Sequence, residues 1–244
     1  MFNANIMDVR TWRDSIEAIA SLIDEGTFRI DKDGMKLRAM NPSQIALVDF
    51  ELPAKAFENY EVKEPCDMAI DFSKLSKITK RIKPDDKIEL KLDSQLKMVF
   101  SGKTKRSFSI SVLGATAAQP KEPKVDFTAE VKVNAGTLKD ALKDAELISN
   151  HVAIEINKKQ MIISAEGDTE SMNVVLPEED IISIDAKEKA RSVFSLEYLD
   201  SLLKAADASS VMVLSMRADA PLRVEYAIGG GKVVYYLAPR IESS

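Results

Sequence analysis

The sequence predicts an α+β protein built from two copies of one module, and three observations support this. Residues 11–37 align with residues 137–163 at a constant shift of 126. Short alternating or apolar runs, separated by turn sequences such as Asp-Lys-Asp-Gly and Lys-Pro-Asp-Asp, are typical of antiparallel strands. Each half also holds two amphipathic segments with apolar residues three and four apart. We therefore expect two helices on one face of an antiparallel sheet in each half.

The internal repeat continues to the end of the second predicted helix and beyond. After a two-residue gap the shift becomes 124, so that Leu52-Pro53 meets Leu176-Pro177 and Lys80 meets Lys204. Each half, of about 120 residues, is long enough to bury its own core. We predict an N-terminal domain over residues 1–114, an extended proline-containing connector over 115–124, and a C-terminal domain over 125–244.

The periodicity assigns the individual elements. The four helices are predicted over residues 8–23, 71–82, 137–148 and 195–206, with N-caps at Asp8, at Asp71 or Ser73, at Thr137 and at Ser195. Each half begins with a strand before its first helix. Further strands are predicted over residues 27–31, 35–40, 45–52, 68–71, 87–92, 96–101 and 107–113, and over 152–156, 161–165, 171–176, 192–195, 211–216, 222–228 and 232–237.

The composition excludes several classes of protein. The net charge is −5, with 45% hydrophobic and 30% charged residues, which is ordinary for a globular protein. A single cysteine, Cys66, excludes an internal disulfide and fits a reducing compartment. No apolar run approaches the length of a membrane span, and the first residues do not resemble a signal peptide. We therefore expect a cytoplasmic protein that does not bind membranes.

The sequence offers little support for catalysis or metal binding. One histidine, His151, and one cysteine cannot form a zinc site of the usual type. A histidine-based triad would need His151, which we expect in a solvated turn. The acidic clusters at 24–25, 85–86 and 178–180 fall in predicted loops, where solvated turns are the simpler interpretation. We therefore expect no catalytic residue, no metal ion and no cofactor.

One predicted helix differs from the others in charge. Residues 71–83 carry five cations and one carboxylate, a net charge of +4, whereas the other three helices carry about −1 each. A solvated helix face would explain the cations. The alternative is contact with nucleic-acid phosphates without sequence recognition, because lysines neutralise backbone charge and read no base edge. The predicted DNA-facing set is Arg10, Arg13, Lys74, Lys77, Lys80, Arg81, Lys139, Lys143 and Lys204.

Several motifs resemble one known family. The chain resembles the DNA sliding clamps of the proliferating cell nuclear antigen (PCNA) family, archaeal in style, over nearly its whole length. The resemblance rests on Met1-Phe2-x-Ala4, Leu37-Arg38-Ala39-Met40, Ser43-Gln44-Ile45-Ala46-Leu47-Val48, Phe194-Ser195-Leu196-x-Tyr198-Leu199, Ala220-Pro221-Leu222-x-Val224-Glu225-Tyr226 and Tyr235-Tyr236-Leu237-Ala238-Pro239-Arg240-Ile241-Glu242.

The resemblance implies a homotrimeric, pseudo-sixfold ring around duplex DNA. Its twelve helices would line the hole and a continuous antiparallel sheet would form the outer wall. It implies a non-catalytic processivity factor that tethers DNA polymerase, ligase and nuclease through short peptide motifs and is opened by a clamp loader. Asp14, Ala20, Asp140 and Glu197 occupy sites that are basic in some relatives, so we expect weak contact between the bore and DNA.

The resemblance also assigns the subunit seam and a partner-peptide pocket. Strand 107–113 of one subunit would pair with strand 171–176 of the next, across an interface formed by Lys105, Arg106, Phe108, Ile110, Met172 and Val174. The pocket residues by resemblance are Met40, Gln44, Ile45, Leu47, Phe127, Pro221, Tyr236, Ala238, Pro239 and Ile241. Core packing remains the alternative for part of this set. The connector lacks the leucine and isoleucine residues that usually form a wall of the pocket.

Three alternatives remain open at this point. The chain would fit one subunit of a heteromeric clamp ring, whose native mass alone would be that of a monomer. It would also fit a monomeric DNA-binding protein that uses the basic helix directly and binds linear DNA with free ends. An enzyme with an unrecognised carboxylate site is the third.

Overall fold

The computed structural model describes residues 2–114 and 119–240. The chain forms two compact units. The first comprises Met1–Pro120 with Ala227–Val233, and the second comprises Lys121–Tyr226 with Val234–Ser244. The domain limits at 114 and 124 stay predictions, since residues 115–118 lie outside the described part of the chain.

The first unit contains two helices and strands of two antiparallel sheets. One sheet has the strand order β5-β1-β7-β8-β9, and the other contains β4-β3-β2-β6. The helices α1 and α2 pack against each other. The elements are β1 Phe2–Ile6, α1 Val9–Ala20, β2 Glu25–Asp31, β3 Gly34–Met40, β4 Ala46–Pro53, a 3₁₀ turn Ala54–Ala56, β5 Phe57–Val62, β6 Cys66–Asp71, α2 Phe72–Thr79, β7 Lys87–Leu92, β8 Gln95–Ser101 and β9 Lys105–Ser111.

The second half of the chain repeats this element order. Its sheets contain β14-β10-β16-β17-β18 and β13-β12-β11-β15, and α3 packs against α4. The elements are β10 Ala129–Asn134, α3 Ala135–Glu146, β11 His151–Ile156, β12 Gln160–Glu166, β13 Ser171–Pro177, a 3₁₀ turn Glu178–Asp180, β14 Ser183–Ala186, β15 Ala190–Ser195, α4 Leu196–Leu203, β16 Val211–Met216, β17 Leu222–Ile228 and β18 Gly231–Leu237.

The element positions reproduce the shifts read from the sequence. The helix α1 begins at Val9 and α3 at Ala135, 126 residues apart; α2 begins at Phe72 and α4 at Leu196, 124 apart. The duplicated α+β fold with two helices per half is therefore confirmed.

Apolar helix faces anchor each unit to its sheets. In the first unit α1 buries Trp12 and Ile16, and the ring of Phe28 lies 5.4 Å from that of Phe72 on α2. In the second unit α3 and α4 bury Leu142 and Leu199 among others. Burying one such side chain contributes about 1.5–3 kcal/mol. The helices are therefore held by these faces, and their opposite faces remain available to solvent.

The predicted N-cap of α3 at Thr137 is wrong. The helix begins two residues earlier, with Asn134 at the N-cap, and no side chain accepts the cap hydrogen bond. The amides of Ala135 and Gly136 instead donate to the carbonyls of Ser210 and Ala208, each at 2.9 Å. Because backbone carbonyls distant in sequence satisfy these amides, local sequence gave no signal for this helix start.

Some predicted ends and strands also differ from the structure. The helix α2 ends at Thr79, and the amides of Arg81 and Ile82 donate to carbonyls three residues earlier, which tightens the chain into a 3₁₀ turn. Two edge strands, β5 and β14, were not predicted. The first, Phe-Glu-Asn-Tyr-Glu-Val, has two adjacent polar residues and so lacks strict alternation, and the second has only four residues, so neither gives a strong strand signal.

Candidate functional site

The cations of the first unit divide into paired and unpaired groups. Arg10 contacts Asp8 at 3.4 Å and Arg13 contacts Asp14 at 2.9 Å. On α2, Lys74 contacts the N-cap carboxylate of Asp71 at 3.0 Å. Hydrogen bonds from the Lys74 amide and then from its ammonium lower the pKa of Asp71. Of the predicted DNA-facing cations in this unit, Lys77, Lys80 and Arg81 are exposed and have no ion-pair partner among the described residues.

The cations of the second unit have different environments from one another. Lys143 contacts Asp140 at 3.2 Å, and both side chains are more than two-thirds exposed. Lys139 donates a hydrogen bond to the Ala206 carbonyl at 2.5 Å, just beyond the end of α4. A cation at this point interacts favourably with the helix dipole. Lys139, predicted to face DNA, therefore contacts the segment that follows α4, whereas Lys204 is exposed at the end of α4.

A cavity of 810 Å³ lies beside α3 and α4 in the second unit. Burial, and then the charge of Glu146, raise the pKa of Asp200, while burial and then Arg240 lower the pKa of His151. No side-chain hydrogen bond among the described residues joins His151 to Asp200 or to Ser195. The lining residues are Glu146, Asn150, His151, Ser195, Leu196, Glu197, Asp200, Ser201 and Lys204.

Strand β9 is paired on one side only among the described residues. Its register with β8 places Phe108 opposite Met98, and the Phe108 ring lies 5.2 Å from that of Phe100. Phe108 is half-buried, whereas Ile110 is 6% exposed and belongs to the core. Of the two predicted apolar anchors, Phe108 is therefore the one accessible to a partner strand.

The two cations predicted for this edge differ in their contacts. Arg106 forms an ion pair with Asp86 and donates to the Arg81 carbonyl at 2.8 Å. Its guanidinium also lies 5.5 Å from the centre of the Phe100 ring. Arg106 is thus engaged within its own subunit, and the exposed Lys105 is the cation left available beside the edge.

Strand β13 of the second unit has a matching open edge. It pairs with β12, and no other strand within residues 2–114 and 119–240 borders its far side. Met172 and Val174 are half-buried, and Val175 on the opposite face is 44% exposed. Exposed carboxylates of Glu170 and Glu178 flank the strand. An unpaired strand edge is a template for pairing with another chain.

In the first unit, the predicted pocket residues surround the turn between β3 and β4. Met40 is 39% exposed and Ile45 is 38% exposed, and Gln44 is exposed with a φ of 57°. Leu47, assigned to the pocket by resemblance with core packing as the alternative, lies in β4 and is 1% exposed. A cavity of 500 Å³ adjoins the turn and is lined by Glu25, Gly26, Thr27, Arg38, Ala39, Met40, Asn41, Pro42, Gln44, Gln119 and Pro120.

The second unit holds the remaining pocket residues. Tyr236 is 5% exposed, and its hydroxyl donates to Glu122 at 2.6 Å. Burial and then this hydrogen bond raise the pKa of Tyr236 to about 12. Ile241 lies outside the described residues. The half-buried members are Phe127, Pro221, Ala238 and Pro239.

The described residues contain neither a cluster of metal-ligating side chains nor a membrane-spanning helix. No group of three or more histidine, cysteine, aspartate or glutamate side chains is arranged to hold a metal ion. No helix in the same residues combines the length and apolarity needed to cross a membrane.

Comparison with known proteins identifies relatives of both units. The model of the N-terminal domain of proliferating cell nuclear antigen matches residues 1–112, and that of the C-terminal domain matches residues 121–241. The DNA polymerase sliding clamp of Methanococcus maripaludis strain C5 is 34% identical over 252 residues, covering 100% of both chains. The sliding clamp of Pyrococcus furiosus is 32% identical and covers 93% of each chain.

Solved structures with the same fold agree with this match. PCNA from Thermococcus kodakaraensis superposes with a TM-score of 0.94 at 26% identity, over 98% of this chain and 100% of that one. The A. fulgidus PCNA bound to the C-terminal region of FEN-1 superposes with a TM-score of 0.91 at 29% identity, over 100% of both chains. Since both halves match the paired domain models in order, the chain belongs to the proliferating cell nuclear antigen family.

Proposed function

We propose that the protein is a DNA sliding clamp that encircles duplex DNA and tethers replication and repair enzymes to it. The observation that carries this proposal is the match of each half to a different clamp domain, together with full-length relatives described as DNA polymerase sliding clamps. A closed ring cannot leave a long duplex without opening, so the linkage is topological. Tight phosphate binding is then unnecessary, and the net charge of −5 is no obstacle.

Three copies close the ring by joining β9 of one subunit to β13 of the next. The contact is heterologous, because different surfaces meet, and a rotation of one third of a turn closes it. Support comes from the two open strand edges, which carry the half-buried Phe108 on one side and Met172 and Val174 on the other. Exposed Lys105 beside the first edge and Glu170 beside the second have complementary charges, which favours the correct register.

Contact with DNA is confined mainly to the end of α2. Lys77, Lys80 and Arg81 are exposed and have no ion-pair partner in the described part of the chain, and Lys204 is similarly exposed. Arg10, Arg13, Lys74 and Lys143 each neutralise a neighbouring carboxylate, so their net attraction for phosphate is smaller. The result is weak, sequence-independent binding, as sliding requires.

Partner enzymes bind through short peptide segments at the predicted pocket residues. Support comes from the A. fulgidus relative, whose structure contains the C-terminal region of FEN-1. Exposed Met40 and Ile45 offer apolar contact in the first unit, next to a cavity of 500 Å³. DNA polymerase, ligase, nuclease and a clamp loader would compete for this surface. Peptide recognition by a few apolar anchors is typical of such grooves.

The clamp itself is non-catalytic and carries no cofactor. Opening of the ring is the task of a separate ATP-driven loader. The expected site of action is the nucleoid in the cytoplasm of an archaeal cell, in keeping with archaeal relatives along the whole chain.

Retention on circular DNA tests the proposal. The protein is loaded onto a nicked plasmid with a clamp loader and ATP, and bound protein is separated from free protein by gel filtration. One restriction cut should release it, and blocking both ends with bulky protein adducts should restore retention. Equal retention before and after cutting, with free ends, would refute encirclement.

A further inference from the structure

The turn that joins β3 to β4 carries an unusual backbone conformation. Gln44 has a φ of 57°, which lies in the left-handed region that residues other than glycine rarely adopt. Such a conformation persists only when the surrounding structure enforces it, and it often marks a functional segment. Gln44 and the exposed Met40 both line the 500 Å³ cavity, and the exposed Ile45 follows Gln44 in the chain.

Asn41 supplies the contacts that enforce this turn. Its side-chain oxygen accepts hydrogen bonds from the amides of Ile45 and Ala46, both at 2.9 Å. Its own amide donates to the Ala46 carbonyl at 2.8 Å, and its carbonyl accepts from the Gln44 amide at 2.9 Å. Four hydrogen bonds from one residue thus span the turn from both ends.

Burial limits the access of water to these hydrogen bonds, so their loss would be costly. Asn41 is 5% exposed and Ala46 is fully buried, so water does not replace the lost contacts easily. An amide oxygen has two lone pairs and can accept both backbone donors at once. Without it, two amides would lose their acceptor, and the left-handed conformation at Gln44 would no longer be held.

We infer that Asn41 is a positioning residue for partner binding, which fixes the turn so that Gln44 and Ile45 are presented to the peptide before it arrives. This inference rests on the proposed function of the surface. Preorganisation of a binding loop improves affinity because the ordering cost is met during folding and not during binding. Asn41 itself is buried, so its effect on the peptide is exerted through the turn.

The test compares three variants with the wild-type protein. The probe is a fluorescent peptide corresponding to the C-terminal region of A. fulgidus FEN-1, and affinity is measured by anisotropy. Asn41→Ala should weaken binding about tenfold, since it removes the side-chain acceptor of the Ile45 and Ala46 amides. Asn41→Asp keeps an oxygen acceptor and should bind within about twofold of wild type.

A matched control removes a similar hydrogen bond elsewhere. The side chain of Asn157 accepts from the Lys159 amide at 3.0 Å in the hairpin between β11 and β12. Asn157→Ala should leave peptide affinity unchanged. Hydrogen exchange adds a second readout, because the amides of Ile45 and Ala46 should exchange faster in Asn41→Ala and at the wild-type rate in Asn41→Asp.

The outcomes separate the inference from the proposed function. Equal peptide affinity for wild type and Asn41→Ala overturns the positioning role while the partner surface stands. No binding by the wild-type protein overturns both. If Asn41→Ala does not fold, Asn41→Ser replaces it, because serine keeps a polar side chain but lacks the amide oxygen that accepts from both amides. Wild-type affinity in that variant would refute the inference, and a several-fold loss would support it.

Discussion

Asp86 and Arg106 form an ion pair in which the carboxylate is 1% exposed and the guanidinium is 22% exposed. The same carboxylate accepts from the Lys83 amide at 2.7 Å, and Arg106 also donates to the Arg81 carbonyl at 2.8 Å. The loop that follows α2 is thereby fixed to β9. One buried contact therefore connects a segment predicted to face DNA with a strand predicted to form the subunit seam.

Asp86→Ala should lower the free energy of unfolding by about 2–4 kcal/mol, because it leaves a largely buried guanidinium and an amide without their acceptor. Urea denaturation measures this. Asp85→Ala, at an exposed neighbour, should change stability by less than about 0.5 kcal/mol. Adding Arg106→Met to Asp86→Ala should recover part of the lost free energy of unfolding. If the losses of the two single variants simply add in the double variant, the two groups do not interact.

The stability of the protein should fall in acid partly through Asp86. Burial alone would raise the pKa of this carboxyl, but the hydrogen bond from the Lys83 amide and the Arg106 guanidinium together lower it. A lowered pKa means that the stabilising contribution is complete above the unfolded-state pKa of about 3.9 and is lost as pH falls through the folded-state pKa. Urea midpoints between pH 2.5 and 6 should decline less steeply in Asp86→Asn than in wild type, and identical slopes would contradict this assignment.

Phe108→Ala should weaken self-association while each subunit remains folded. Phe108 is half-buried and packs on Phe100, so its truncation should cost the isolated subunit only about 1–2 kcal/mol. A central aromatic residue at an interface commonly contributes 2 kcal/mol or more, at least about a tenfold change in a dissociation constant. Sedimentation velocity measures the shift. Val211→Ala, which truncates an exposed apolar residue on β16, should leave the profile unchanged; the same profile for Phe108→Ala would remove that residue from the seam.

Lys77→Ala should weaken DNA binding and reduce its dependence on salt. If Lys77 contacts one phosphate, the slope of log affinity against log salt concentration should decrease by about one. Lys143→Ala should have a smaller effect, because its ammonium already faces Asp140. Lys139→Met should instead reduce thermal stability and leave the salt slope intact, since Lys139 holds the Ala206 carbonyl. An equal change of the salt slope in all three variants would contradict the different roles assigned to Lys77, Lys143 and Lys139.

Sequence periodicity predicted the fold well because the module occurs twice. Two aligned halves gave the helices within a few residues, and their shifts of 126 and 124 recur in the structure. The start of α3 was missed because carbonyls of Ala208 and Ser210, more than 70 residues away, satisfy its first amides. Propensity cannot reveal partners that only the folded chain brings together.

The candidate sites were less accessible to sequence reasoning. Charge counts found the basic helix but not the pairing of Lys74 with Asp71 or the hydrogen bond from Lys139 to the Ala206 carbonyl. The resemblance assigns Leu47 and Tyr236 to the pocket, with core packing as the alternative for part of that set, and the structure buries both side chains. Asn41 was not singled out, although an asparagine at the end of a strand before Pro-Ser is a usable turn signal.

The mass of the protein in solution tests the central claim most directly, namely that identical subunits close into a ring through β9 and β13. Sedimentation equilibrium at micromolar concentration should give 81 kDa, the mass of three chains of 27.0 kDa. A single species at 27.0 kDa under these conditions would contradict the homotrimer.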